Sequence, residues 1–380
     1  MTIDIIGAGI GGLTTAIALE KKGVKCRIFE QTEIIKPVGA GIILANNAMQ
    51  VYKKLGLKDT IEAHGTPIST INIVKDNLEV ISSMDLSVFE KANNVKNIAI
   101  HRGILQQILI DQLKETKVYL NHKLKKIEKN ENGHSLYFDN DSVEHSSILI
   151  GADGLNSMVR KQLFKNNFIR KANQICWRGV TDYNLPNSYK RELNEAWGNS
   201  DRFGFVPLAN NKVYWYALKT IPKNNDEYSI LKIEEYFKNY NSLVKDIIIC
   251  TPKEAIYTAE IEDLKPMLKW HNQNTCLIGD AAHATTPNMG QGACQAIEDA
   301  YVLSECLANY NYSDAFLKFQ KLRINKAHKV VKASWSLGKL AHISNPILIA
   351  LRNRIMALTP ESINRKQSKE IFQLPELNLK

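Results

Sequence analysis

Six cysteines are scattered through the 380 residues, and no two are spaced as a Cys-x-x-Cys pair. That spacing argues against a cysteine-bound metal or a disulfide framework, and no metal site is expected; buried free thiols in a reducing compartment are the reading. No run approaches the ~18–20 apolar residues of a membrane-spanning helix. An apolar strand pattern starts at Thr2, which leaves no room for a signal peptide and predicts a cytoplasmic protein. Internal repeats and low-complexity segments are absent as well, which argues against a solenoid. Lysine and arginine exceed the acids by 49 to 39, yet the lysines are dispersed, densest over 123–129 and 161–171, with no aromatic-interleaved basic groove. The formal charge of +10 therefore suits small anionic ligands better than nucleic acid. With 44% hydrophobic and 23% charged residues, the chain is an ordinary globular one, long enough for two domains.

Against these absences stand three glycine-centred stretches. The first follows a short β-branched run, residues 2–7, and reads Gly7-Ala8-Gly9-Ile10-Gly11-Gly12. An apolar helical pattern, Leu13–Lys22, leads to Gly23, and a second apolar run, Val24–Phe29, ends at Glu30. This is the strand–turn–helix–strand context of a dinucleotide site. Gly7 permits the tight turn, Gly9 lets backbone approach a pyrophosphate, and Gly12 lets helix and strand pack closely. Free amides and the positive helix end face the phosphates. Glu30 is placed to accept from a ribose hydroxyl, and its charge repels a 2′-phosphate.

The second stretch, Gly151-Ala152-Asp153-Gly154, follows the strand pattern Ser147–Ile150. The third, Gly279-Asp280-Ala281-Ala282-His283, follows Thr275–Ile278. Between them the character changes. Trp177–Val180, Phe203–Leu208 and Lys212–Lys219 read as strands, the last two joined by an Ala209-Asn210-Asn211 turn, and 70–84 reads as another hairpin. From Gln291 onward the pattern is helical, through 314–332 and into 346–357. No second nucleotide fingerprint appears, nor the Cys-x-x-x-x-Cys of disulfide reductases.

Together these motifs resemble the FAD-dependent aromatic hydroxylases of the p-hydroxybenzoate hydroxylase type, the group A flavoprotein monooxygenases. The match runs over roughly residues 3–345. Residues 151–160 look like the family's Asp-Gly motif. Gly279–His283 with Thr286-Pro287-Asn288-Met289-Gly290-Gln291-Gly292 is similar to its Gly-Asp motif, and Arg102 matches an arginine used on the flavin nucleotide. The resemblance implies an α/β fold: a three-layer, Rossmann-like FAD-binding domain with an inserted β-sheet substrate domain. The corresponding division is 1–68, 98–172 and 265–345 for FAD, 69–97 and 173–264 for substrate, and a helical tail over 346–380. It implies FAD as cofactor, held by Gly7, Gly9, Ile10, Gly11, Gly12, Glu30, Gln31, Gly41, Arg102, Asp153, Asp280, Pro287, Gly290, Gln291 and Gly292. The loop Val38–Ile42 is expected beside the isoalloxazine ring. Asp153 is read as organising its loop, bonded to Arg160, and His283 as structural rather than an acid/base.

By the same resemblance, NADH or NADPH visits transiently and reduces FAD. Reduced flavin then takes O2 to a C4a-hydroperoxide, and one oxygen passes to an aromatic or heteroaromatic molecule. Arg202, Tyr214 and Pro287 are the candidate catalytic residues. Strand alternation puts Tyr214 and Tyr216 on one face and Trp215 on the other; the tyrosines could equally be sheet packing. Urate hydroxylases carry an aspartate where this chain has Asn288, and an amide is no general base, which argues against urate. Residues 335–358 mix apolar and basic side chains; a helix packed on the FAD domain is favoured over membrane contact. Monomer and homodimer both stay open. The rival readings are a flavin-linked reductase or dehydrogenase, and a non-catalytic binding protein, on the same fold.

Overall fold

A computed structural model describes residues 2–35, 40–165, 168–221 and 232–377. Its centre is a six-stranded sheet in which Ile3–Ile6 lies between Cys26–Phe29 and Ile148–Gly151, all parallel. The strand Thr275–Leu277 adds in parallel beside Ile148–Gly151, so three glycine loops leave neighbouring strands at the same sheet end. Such strands are buried on both faces, which is why they read as unbroken apolar runs. The helices Ile10–Glu20 and Gly292–Asn309 pack on this sheet and on each other. A small antiparallel sheet, Leu124–Asn130, Gly133–Phe138 and Val143–Ser146, forms the third layer, with Phe138 stacked on Phe29 at 5.1 Å.

The other large element is a seven-stranded sheet in the order Tyr257–Leu264, Ile169–Asp182, Lys212–Thr220, Asp201–Pro207, Glu192–Trp197, Thr70–Val74, Val80–Asp85. The hairpin 201–220 turns where expected, because Asn210 and Asn211 both accept positive φ, 61° and 56°. One face carries Phe203 stacked on Trp215 at 5.5 Å, above Phe237 and the helix Ser242–Ile249. The other face carries Arg202, Gly204, Tyr214 and Tyr216. Gly204 sits directly opposite Tyr216, whose ring occupies the space a Cβ would need. A fourth sheet, of three strands, Gly41–Leu44, Asn97–His101 and Thr66–Ile68, links the two large sheets.

The helix Pro346–Leu358 corrects one expectation. Instead of packing on the FAD-binding layers, it lies against Val80–Asp85, the edge of the seven-stranded sheet. The helix after it, Glu361–Phe372, returns to the first core through Phe372, edge-on to Phe89 at 5.0 Å.

Candidate active site

At the N-terminal loop each glycine has a separate physical reason. Gly7 has φ +108°, and a Cβ there would lie 2.5 Å from the Ala152 carbonyl oxygen. A Cβ on Gly12 would collide with the Gly7 carbonyl, whereas one on Gly9 would meet nothing within 4 Å. Gly9 thus borders open space. The helix beginning at Ile10 has neither a side-chain cap nor an acid in its first turn, so its leading amides have no partner within the helix. Gly11 lies against Ala296 of the helix Gly292–Asn309. Glu30 is pinned by two amides, Ala8 N at 2.7 Å and Thr32 N at 3.0 Å, and Gln31 is exposed beside it. Gln106 steadies the loop by donating to the Ala8 carbonyl at 2.8 Å. Arg102 opens the same helix, exposed, with its amide on the Ala40 carbonyl. Val38 and Gly39 lie outside the described residues; Gly41 begins a strand so close to the substrate-side sheet that a Cβ would sit 2.5 Å from that of Tyr214.

The other two loops meet beside it. Asp153 accepts from the Val159 amide at 3.1 Å, and burial raises its carboxyl. Its expected partner Arg160 is engaged elsewhere: the buried guanidinium donates to the Ala281 carbonyl at 3.0 Å and to that of Leu155, stitching the Asp-Gly loop to the Gly-Asp loop. Asp280 remains open to solvent. Surrounding protein nevertheless lifts its carboxyl, an effect opposed by His283, Arg102 and Arg160. An accessible carboxylate walled by protein is what the floor of a ligand cleft looks like. Pro287 and Gly290 are likewise exposed on the turn before Gly292, where the helix Gly292–Asn309 starts.

Behind that turn lies a fully buried charge network. His283 Nε2 donates to Asp299 at 2.5 Å, and the same carboxylate oxygen accepts from the Gly279 amide at 2.9 Å. Arg323 bridges Asp299 at 2.7 Å and Glu298 at 2.6 Å, and Lys326 reaches Glu298 at 2.8 Å. Asn47 bonds Glu298 and donates to Gln291 at 3.1 Å, which ties the network to the loop. Burial alone would raise the Asp299 carboxyl, but His283 and Arg323 outweigh it and hold it at about 2. His283 is 3% exposed and committed to this network, away from the cleft. Asn47, Glu298, Asp299 and Arg323 escape sequence reasoning; the only signal is an acidic pair inside an otherwise apolar helix, Ala296-Ile297-Glu298-Asp299-Ala300.

Over the cleft, Glu195 gathers three donors: Arg202 Nη1 at 3.0 Å, Trp197 Nε1 at 2.7 Å and the Tyr216 hydroxyl. The second Arg202 amino group donates to Asn288 Oδ1, whose amide donates to Thr286 Oγ1 at 2.9 Å and to the Ser334 carbonyl at 2.8 Å. Arg202 is 1% exposed, and its Nε finds no partner among the described residues. Tyr214 and Tyr216 lie side by side, ring centroids 5.9 Å apart, on the face away from buried Trp215. Burial pushes the Tyr214 hydroxyl upward, so it is neutral. Glu195, absent from the sequence candidates, is the hub of this side.

Residues 1–320 match the family described as FAD binding domain. Aurachin C monooxygenase/isomerase of Stigmatella aurantiaca is 34% identical over 362 residues, 94% of each chain. The chain belongs to the FAD-dependent aromatic hydroxylases. This flavoprotein is therefore an oxidoreductase of the monooxygenase class, with FAD as its cofactor. The 2-heptyl-3-hydroxy-4(1H)-quinolone synthase of Pseudomonas aeruginosa is 28% identical over 379 residues, 98% of each chain. In fold, the flavoprotein superposes on a crystal structure of Klebsiella pneumoniae HpxO complexed with FAD and uric acid, with TM-score 0.89, 21% identity and coverage of 100% and 98%. The open space at Gly9, the uncapped amides from Ile10 and the accessible Asp280 all fit FAD.

Proposed function

We propose that this flavoprotein consumes NADH or NADPH and O2 in the cytoplasm to insert one oxygen atom into an uncharged, fused heteroaromatic molecule of the quinolone kind. The observation that carries this reading is the charge balance over the cleft. Arg202 is already neutralised by Glu195, and Asn288 adds no charge. An anionic substrate would have to compete for a buried, compensated guanidinium, which is costly. A neutral ring with one acceptor needs only the remaining Arg202 Nε–H. The quinolone named for the Pseudomonas relative is of that chemical type. Asn288 argues against urate on separate ground, since an amide cannot act as the general base that an aspartate there would be.

Bound FAD supplies the redox chemistry, accepting hydride from NAD(P)H and delivering one atom of O2 to the substrate while the other leaves as water. The chain's own residues bind and orient. Gly7, Gly9, Gly11, Gly12 and the amides from Ile10 take the pyrophosphate, Glu30 and Gln31 the adenosine side, and Arg102, Asp153 and Asp280 the middle of the cofactor. The turn Pro287, Gly290, Gln291, Gly292 would hold the flavin ring with helix-end amides, which favour negative charge there. Tyr214, braced on Gly41, walls the ring against water, and Arg202 orients the substrate carbon. With a single nucleotide fingerprint, NAD(P)H enters transiently.

The test is oxygen uptake and NAD(P)H oxidation by the purified yellow protein with a 4-quinolone, urate and a benzoate. Quinolone-stimulated turnover with label from isotopic O2 in the product supports the proposal. Stimulation only by the anionic compounds sinks the neutral-substrate reading. Flavin reduction without oxygen incorporation would favour a reductase on the same fold.

A further inference from the structure

The helix Pro346–Leu358 turns a stripe of aliphatic side chains away from the protein it packs on. Its most buried side chain is Arg352, 4% exposed, which donates to the Leu340 and Ala341 carbonyls and lies over the Trp197 ring at 5.1 Å. Its aliphatic side chains point outward: Ile347 78%, Leu348 49%, Leu351 53%, Ile355 57% and Leu358 72% exposed. At 3.6 residues per turn these five positions fall within an arc of about 100°. A surface helix ordinarily turns such a stripe to the core. The helix itself is well made, with Pro346 at its start and Asn345 accepting from the Ile347 and Leu348 amides at 2.9 and 3.2 Å.

Charge indicates the occupant. Between 332 and 369 there are seven lysines and arginines against one acid, Glu361. Lys332, Lys339, Arg354, Lys366 and Lys369 are exposed, and Arg354 sits at the margin of the stripe. A two-fold dimer through this face would set the basic flank against its own copy, whereas an anionic lipid surface complements it. Thirteen residues rise about 20 Å, too short to cross a bilayer but right for lying in its interface. We infer that the helix Pro346–Leu358 docks flat on an anionic membrane surface, its five aliphatic side chains inserted and Arg354 at the headgroups. Docking leaves the helix between the lipid and the Val80–Asp85 edge of the substrate-side sheet. The inference holds whatever the substrate is.

The FAD-loaded full-length protein is mixed with phosphatidylcholine vesicles, with and without phosphatidylglycerol, and sedimented. The protein pellets with the anionic vesicles and is released by salt. Leu351→Glu with Ile355→Glu lowers binding by about tenfold or more, and Arg354→Glu by less, with flavin content and melting temperature unchanged. Wild-type protein left in the supernatant at low salt overturns the inference, as does a double variant that binds normally. A dimer dissolved by the double variant, without vesicle binding, assigns the face to a second copy instead.

Discussion

Two charged clusters flank the flavin cleft, and they are built to opposite specifications. Behind the Gly-Asp turn, Asp299, Glu298, Arg323 and His283 are buried and mutually satisfied. In front, Arg202 and Glu195 are nearly as dry, yet one guanidinium nitrogen lacks a partner among the described residues and the adjoining tyrosines are only half-buried. The first arrangement holds Gly279 and Gln291 in place and leaves nothing to offer a ligand. The second keeps its charge neutral and one donor unspent, which under the proposed function makes it select rather than support. On that proposal, ion pairs of similar geometry serve stability on one side and specificity on the other, and the completeness of hydrogen bonding separates the two roles.

The sharpest way to break the comparison is Arg323→Leu. It removes the shared guanidinium from two buried carboxylates, leaving Asp299 to His283 and the Gly279 amide and Glu298 to Lys326 and Asn47, and should cost about 3–5 kcal/mol, read as a lower denaturant midpoint for the holoprotein; an effect as small as that of a surface substitution would deny the network its role. Gly9→Val acts on the cradle alone, since a Cβ there meets no protein atom within 4 Å. It should weaken FAD by about a hundredfold, near 3 kcal/mol, in protein whose circular dichroism is unchanged, as measured by flavin release on dilution.

The third prediction concerns pH. His342, bonded to Thr220 Oγ1 at 2.9 Å, is pushed down to about 3 by burial and by the nearby Arg202, Lys219 and Arg352. Its folded value lies below the unfolded one, so this contribution to stability is complete above the ordinary histidine value and is lost as pH falls from there toward 3. Between pH 6.5 and 5 the loss should be about 2 kcal/mol, and His342→Gln should flatten unfolding curves in that window. The smallest effect is expected from Glu195→Gln, which unmasks the Arg202 charge. Preference should shift toward an anionic aromatic by about tenfold, or 1.4 kcal/mol, in competition assays; an unchanged preference would mean that Glu195 does not set substrate charge.

Much of the cofactor side was legible because its requirements are local. The positive φ at Gly7, the approach at Gly9 and the packing of Gly12 on the Gly7 carbonyl are set within one short loop, although Gly7 also abuts the distant Ala152 carbonyl, and the hairpin at Asn210-Asn211 declares itself through turn chemistry and alternation. The pairing of Thr70–Val74 with Glu192–Ala196 spans a long separation and leaves no mark in either strand. The same is true of Glu195, which reads as one more polar residue in a strand until Arg202, Trp197 and Tyr216 converge on it. Arg160 looked like a partner for Asp153 because the two are close in sequence; its guanidinium is drawn instead to carbonyls that only folding brings near.

The sequence by itself determined the nucleotide loop, the FAD-binding class and the neutral residue at 288, since glycine freedom, strand periodicity and residue charge are properties of short segments. Only the tertiary structure decided which carboxylates neutralise Arg323 and Arg202, and which face of the helix Pro346–Leu358 is left bare. Those depend on burial and on contacts between distant segments, and both are set when the sheets and helices close on one another.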